Sequence, residues 1–202
     1  MSTRTLSVET VTAAGVALAR EKGFPALGVR AVAARLKVTP MALYRHLPDS
    51  QALSEAVLDA LLAGLPVLPL SGTPTDQLRA WAAAAREMLL TCRGLAHHLL
   101  LHWFELPRAL EVVESLLAAA EAMGFKGFEA VAASNAIFTF VLMRVELEES
   151  LRDANVLQRK LPALRGLPRL ARNAAEYRVA RVDAHFDYGL ALLLEALERK
   201  SS

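Results

Sequence analysis

Cysteine is almost absent. Cys92 is the only one in 202 residues, so no internal disulfide framework is available and a reducing compartment is implied. Aromatic residues make up only 6% of the chain, and no apolar run reaches about 18 residues, the length of a membrane-crossing helix. The most apolar stretch, residues 130–143, is interrupted by Ser134, Asn135 and Thr139. Arg4 followed by "AAGVALA" imitates a secretion signal. Glu9 stands in front of that apolar part and the pattern continues as an amphipathic helix, so a cytoplasmic start is expected. Nucleophile–base pairs, metal-ligand sets and Gly-rich phosphate loops are also missing, which argues against an enzyme and gives no reason to expect a cofactor or a bound metal.

What is present is apolar and helical. Hydrophobic residues make up 54% of the chain, enough for a sizeable core and too many for a disordered composition. The formal net charge of +2 conceals a strong local asymmetry. Residues 1–47 hold seven Lys or Arg against two Glu; residues 48–63 hold three acids and no base; residues 64–202 are balanced. A basic patch confined to one end suits a polyanionic partner.

The apolar spacing is that of helices throughout, and no convincing strand pattern occurs. Ser7 can cap a first helix to about Lys22, with Val8, Val11, Gly15 and Leu18 on one face and Gly23 as its stop. A short helix is predicted over about 29–36 with Val32, Ala33 and Leu36 on one face. Thr39 as N-cap and Pro40 as first residue predict another over about 40–47, stopped by Pro48. Asp49 or Ser50 caps a fourth to about Ala63, with Leu53, Val57 and Leu61 inward. "GLPVLPLSGTPT" (64–75), with three prolines and two glycines, is the clearest linker signal. It divides the chain into 1–63 and 64–202. Further helices are predicted at about 76–92, 95–103, 107–123, 127–153, 168–178 and 180–200, with a loop over 154–167. The helix at 127–153 is apolar almost all round, and Phe186, Leu190, Leu193 and Leu197 form a wide stripe on the last one. Both exceed what one neighbour can cover, so a homodimer is expected.

Two short helices joined by a tight turn, over 29–47, form a helix-turn-helix, whose second helix enters the DNA major groove. A helix over 40–47 is short enough to enter a groove about 12 Å wide. Tyr44 can donate to a phosphate, Arg45 can reach a phosphate or guanine, and Arg30 is placed near the backbone or a base. Leu43 and Leu47 belong to the core.

"LGVRAVAARLKVTPMALYRHLPDSQALSEAVLDALL" resembles the DNA-binding domain of the TetR family of transcriptional regulators. "GFEAVAASNAIFTFVLMRVELEE" and "FDYGLALLLEALERK" resemble the dimerising helices of tetracycline-repressor-like proteins. The resemblance implies an all-α fold: an N-terminal helix-turn-helix domain followed by a helical ligand-binding and dimerisation domain. It implies a non-enzymatic repressor, a palindromic double-stranded operator and a small-molecule inducer, with no membrane role. It implies DNA contacts from Arg30, Thr39, Pro40, Met41, Ala42, Tyr44, Arg45 and His46. Where the family usually places a phosphate-binding lysine, this chain has Ser50, beside the acidic Asp49.

For the ligand, polar or aromatic residues on apolar helices are the candidates: His98, His102, Trp103, Ser134, Asn135, Phe138 and Thr139, with Arg144. His98 and His102 lie one turn apart, which is too little for a metal site by itself. Asn135 and Thr139 can line a pocket or face a dimer partner. Leu100 falls near the position of the tetracycline repressor's metal-binding histidine, so a largely apolar small molecule is expected rather than tetracycline.

Overall fold

The computed structural model describes residues 6–68, 71–152, 166–173, 176 and 182–201. Among them are ten α-helices and no strand: α1 Val8–Lys22, α2 Val29–Leu36, α3 Pro40–Leu43, α4 Ser50–Leu62, α5 Pro74–Leu90, α6 Leu95–His102, α7 Pro107–Ala122, α8 Phe128–Arg152, α9 Pro168–Asn173 and α10 Val182–Ser201. Short 3₁₀ turns follow α1 (Phe24–Ala26) and α6 (Trp103–Glu105). The predicted loop at 154–167 and the end of the predicted helix 168–178 fall largely outside the described residues.

Local chemistry sets the boundaries. The Ser7 hydroxyl accepts from the Thr10 amide at 3.2 Å and opens α1. Gly23, at φ 88°, closes it, donating to the Ala19 carbonyl at 2.8 Å. The Asp49 carboxylate accepts from the Ala52 amide at 2.8 Å and starts α4. A reciprocal Thr73–Asp76 box starts α5.

Two expectations change. α3 spans only Pro40–Leu43, four residues short of the predicted end. Beyond it the His46 and Leu47 amides both bond the Leu43 carbonyl, so the chain tightens into turns. Leu47 precedes Pro48, and a residue before proline avoids the helical region. Thr39 occupies the N-cap position of α3 but makes no capping hydrogen bond with its side chain.

The proline-rich segment is also pinned rather than loose. Leu65 and Leu68 are buried. The Trp81 indole donates to the Pro66 carbonyl at 2.9 Å, and Arg108 donates to the Leu65 carbonyl at 2.9 Å. The larger of two clusters of buried apolar residues runs from Val11 in α1 to Leu194 in α10, and a small one joins Ala120, Phe125, Ala130 and Ala133. Leu53, Val57 and Leu61 face inward, as the α4 spacing predicts.

α8 is the hub, packing on α5, α6, α7 and α10. Its length and hydropathy over Phe128–Ser150 would allow a membrane crossing, a property that its interrupted apolar run conceals. Here one side carries core residues instead: Ile137, Val141, Leu142 and Val145 are buried. Its opposite side leaves Val131, Met143 and Leu147 about half exposed, and α10 exposes Tyr188 and Leu192.

Candidate nucleic-acid interface

α2 and α3 are held from beneath. Val29, Val32 and Ala33 on α2, with Leu43 and Leu47 on and after α3, are all buried. Lys37 makes the turn between them in the left-handed conformation, φ 57°, the only non-glycine residue among those described to do so. That turn fixes α3 against α2 and leaves its other side to solvent.

The solvent side carries most of the predicted contact residues. Arg30, Thr39, Pro40, Met41, Tyr44, Arg45 and Ser50 are exposed; Ala42 and His46 are half-buried. Met41 is 70% exposed, an unfavourable place for a thioether unless something apolar covers it. Arg30 and Arg45 make no ion pair with a described residue, whereas Arg35 is engaged by Glu21 at 2.6 Å. The uncapped Thr39 hydroxyl remains available to an incoming acceptor.

The edges of this surface are less basic. The Glu9 carboxyl is held below the usual range, chiefly by the Ser7 hydroxyl, with the His46 charge as a lesser cause. An anionic side chain therefore lies near His46. At the start of α4, Asp49 caps the helix and Ser50 opens it with a neutral hydroxyl.

The ligand candidates separate into two groups. His98, half-buried on α6, lies with its ring centroid 4.8 Å from Phe24 and 4.5 Å from His102. Trp103 meets the buried Phe138 edge-on at 5.7 Å. His98 and His102 thus lie against the turn after α1, and Trp103, just past α6, lies against α8. Ser134, Asn135 and Thr139 do not join them. The buried Ser134 hydroxyl donates to the Val131 carbonyl at 3.0 Å, and Thr139 donates to the Asn135 carbonyl at 2.6 Å. Asn135 and Thr139 are exposed, on the same side of α8 as Val131 and Met143. The inward register of α8 is 134, 137, 138, 141, 142 and 145, so 135 and 139 point away from the interior. Arg144 is half-buried, and its Nε is enclosed without a hydrogen-bond partner. Among the described residues no group of three or more potential ligands is placed to hold a metal.

Two features escaped the sequence. Arg86 donates from Nε and Nη2 to the Glu148 carboxylate (3.0 and 2.7 Å), reaches Asp183, and lies over the Phe186 ring at 5.0 Å. Desolvation opposes its charge, but the two carboxylates prevail and push its pKa up. The available signal was Glu148 at an inward register of α8, following 141 and 145. The second feature is the seam around Cys92. Its thiol donates to the Ala19 carbonyl at 3.4 Å, and burial pushes its pKa up to about 11, so it is an inert core group.

The comparisons agree with this arrangement. Residues 11–57 match the family described as bacterial regulatory proteins, tetR family, and residues 65–201 match the tetracyclin repressor-like C-terminal domain. Among curated proteins none matches. A possible TetR family transcriptional regulator from Streptomyces coelicolor A3(2) is 24% identical with a TM-score of 0.82, covering 96% of this chain and 99% of that one. BioQ from Mycobacterium smegmatis is 25% identical with a TM-score of 0.73, over 96% and 99% of the two chains; BioQ has also been solved with its double-stranded DNA operator. TetR from Acinetobacter baumannii AYE is 26% identical with a TM-score of 0.71, over 98% and 100%, and a variant of it has been solved with minocycline. With both halves matched and the helix-turn-helix surface in place, the chain belongs to the TetR family of bacterial transcriptional regulators.

Proposed function

We propose that the protein is a cytoplasmic, homodimeric repressor that binds a palindromic operator and releases it when a small molecule binds. It carries out no catalysis in this role. Residues 1–63 form the DNA-reading head, and 64–202 bind the inducer and the second protomer. Met41 and Ala42 meet base edges, with Pro40 beside them. Tyr44, Thr39 and His46 hold phosphates, and Arg30 and Arg45 supply charge to phosphate or guanine. The observation that carries the proposal is the combination on α2, α3 and the turn after α3: Leu43 and Leu47 anchored in the core, Met41 and Tyr44 outward, and Arg30 and Arg45 left without an ion pair to a described residue.

The exposed side of α8 with Tyr188 and Leu192 of α10 is the dimer face, because pairing removes its apolar area from water. Asn135 and Thr139 then belong to that face rather than to the inducer site. Trp103 and Phe138 provide the aromatic wall of a largely apolar ligand site. The DNA-bound BioQ and minocycline-bound TetR structures show that relatives at 25% identity use both kinds of partner.

The test is selection of bound duplexes from random sequence. A palindrome with half-sites about one helical turn or a multiple apart is expected. Tyr44→Phe with Arg45→Ala should weaken binding about tenfold or more. Unchanged affinity in that variant would remove α3 from the interface.

A further inference from the structure

The DNA-reading helices meet the C-terminal helices along a narrow seam. The Phe24 amide donates to the Arg93 carbonyl at 2.7 Å, and Cys92 bonds the end of α1. Gly94 packs so closely on Pro25 that a Cβ there would lie 2.8 Å from the ring. The Gly94 amide in turn donates to Glu149 of α8 at 2.8 Å. The start of α6 is therefore gripped by both halves of the molecule.

One turn further along α6, two imidazoles stand in that seam. His98 tilts against Phe24, and His102 stacks on His98 with an interplanar angle of 29°. A stack of neutral rings suits this place. A charged pair does not, because like charges at about 4.5 Å repel and His98 is half-buried away from water. We propose that the His98–His102 stack is a protonation-sensitive joint between the helix-turn-helix head and the C-terminal helices, which opens as pH falls and weakens operator binding. This rests on the proposed role as an operator-binding regulator.

The charged and titratable surroundings are mixed. On α6 itself are His97 and His102, and on the following turn Glu105, whose carboxylate lies 3.7 Å from His102 Nδ1. From α8 come Glu146, 3.5 Å from His97 Nδ1, and Glu149 at the Gly94 amide. From the end of α1 come Arg20, which acts on Cys92, and Lys22; Arg93 lies in the intervening turn. The turn that faces His98 directly, Phe24–Ala26, contributes no charge. Glu105 favours a proton on His98, and Glu146 is engaged with His97. Burial dominates at His98: it pushes that pKa below the ordinary 6.5, with His102 adding to the effect. The sign follows. A histidine whose pKa is lowered in the docked state and ordinary in the open state favours docking above that ordinary value. The preference is lost as pH falls below about 6.5.

The experiment compares wild type with His98→Phe, which keeps a ring against Phe24 but cannot take a proton, and with His98→Gln as a second neutral replacement. Operator Kd is measured between about pH 7.5 and 5.5. In parallel, exchange of the Phe24 amide hydrogen reports the joint directly. Wild type should lose affinity several-fold over that range relative to either variant. Its Phe24 amide should lose protection over the same range, while the variants stay protected. Identical pH profiles for wild type and both variants, in both readouts, would overturn the joint. If no operator is bound at any pH, the regulator role fails; Phe24 exchange still decides the joint, since loss of protection confined to wild type supports it and its absence overturns it.

Discussion

Replacing Gly15 by alanine tests how closely α1 is set against α4. Gly15 is buried in the middle of α1, and a Cβ built there would lie 2.4 Å from Val57 Cγ2 and 3.4 Å from Leu27 Cδ1. Carbon atoms prefer separations of about 3.5–4.0 Å, so the first contact is short by about 1 Å. Val57 is fully buried, and its β-branched side chain is confined to essentially one rotamer in a helix. It cannot swing aside, so the helices must part. Overpacking of this kind costs about 1–3 kcal/mol, against about 0.5–1 kcal/mol gained by replacing glycine inside a helix. Gly15→Ala should therefore destabilise by about 1–2 kcal/mol, or several degrees in melting temperature at fixed protein concentration.

The decisive comparison is a double-mutant cycle. Val57→Ala alone removes two buried methyl groups and should cost about 2 kcal/mol. In the double variant, the methyl group added at position 15 occupies space that Val57 vacates, so the combined loss should fall short of the sum by about 1–2 kcal/mol. Operator affinity should follow, because α4 and α1 together carry α2 and α3: reduced in Gly15→Ala and partly restored in the double variant. Denaturant unfolding of the four proteins measures the coupling. Additivity within about 0.5 kcal/mol, or stabilisation by Gly15→Ala alone, would refute the packing analysis.

Ser50→Lys should supply the charge missing at the start of α4. With one added phosphate contact per protomer, the slope of log K against log salt should steepen by about 1.8 per dimer. Operator affinity should rise most at low salt, and an unchanged slope would place residue 50 off the DNA. Arg86→Met should cost about 3–5 kcal/mol, because Glu148, whose side chain is only 3% exposed, loses its arginine. Most of that loss should return in Arg86→Met with Glu148→Leu. Asp183, 83% exposed, adds little, so Asp183→Ala should change the unfolding midpoint hardly at all.

The head was legible because its signals are local. Ser7, Gly23, Pro40, Pro48 and Asp49 act on the residues beside them, so four helices and their order could be read directly. The length of α3 was the exception: Pro48 sets an outer limit at Leu47, but the His46 and Leu47 amides both turn back to the Leu43 carbonyl and the helix ends there. Farther along, the decisive facts depend on partners far away in sequence. The Arg86–Glu148 pair spans 62 positions, and nothing near either residue announces the other. Asn135 and Thr139 interrupt an apolar run, and from the sequence they could equally line a pocket or face a dimer partner. α8 is apolar on its outer side as well, so hydrophobicity alone could not say which polar residues face which way. The burial of Ser134 beside the exposure of Asn135 shows that one position of helical phase decides the matter.

The proline-rich segment bears on how the two halves can move. Its composition suggests a free tether, which would let the head drift independently. The Trp81 indole and Arg108 instead fasten the Pro66 and Leu65 carbonyls, and the core passes without a break from α1 to α10. A tethered head could reorient at no packing cost; this one cannot. Any shift of α1 relative to α6 must break the Phe24–Arg93 hydrogen bond, pull Cys92 from the Ala19 carbonyl, or slide His98 across Phe24. Each contact is small, and together they define a discrete docked state rather than a continuum. That is the property a two-state regulator requires, because a ligand shifts an equilibrium only through unequal affinity for distinct states. The seam, more than the reading surface alone, is where such a difference in affinity would have to act.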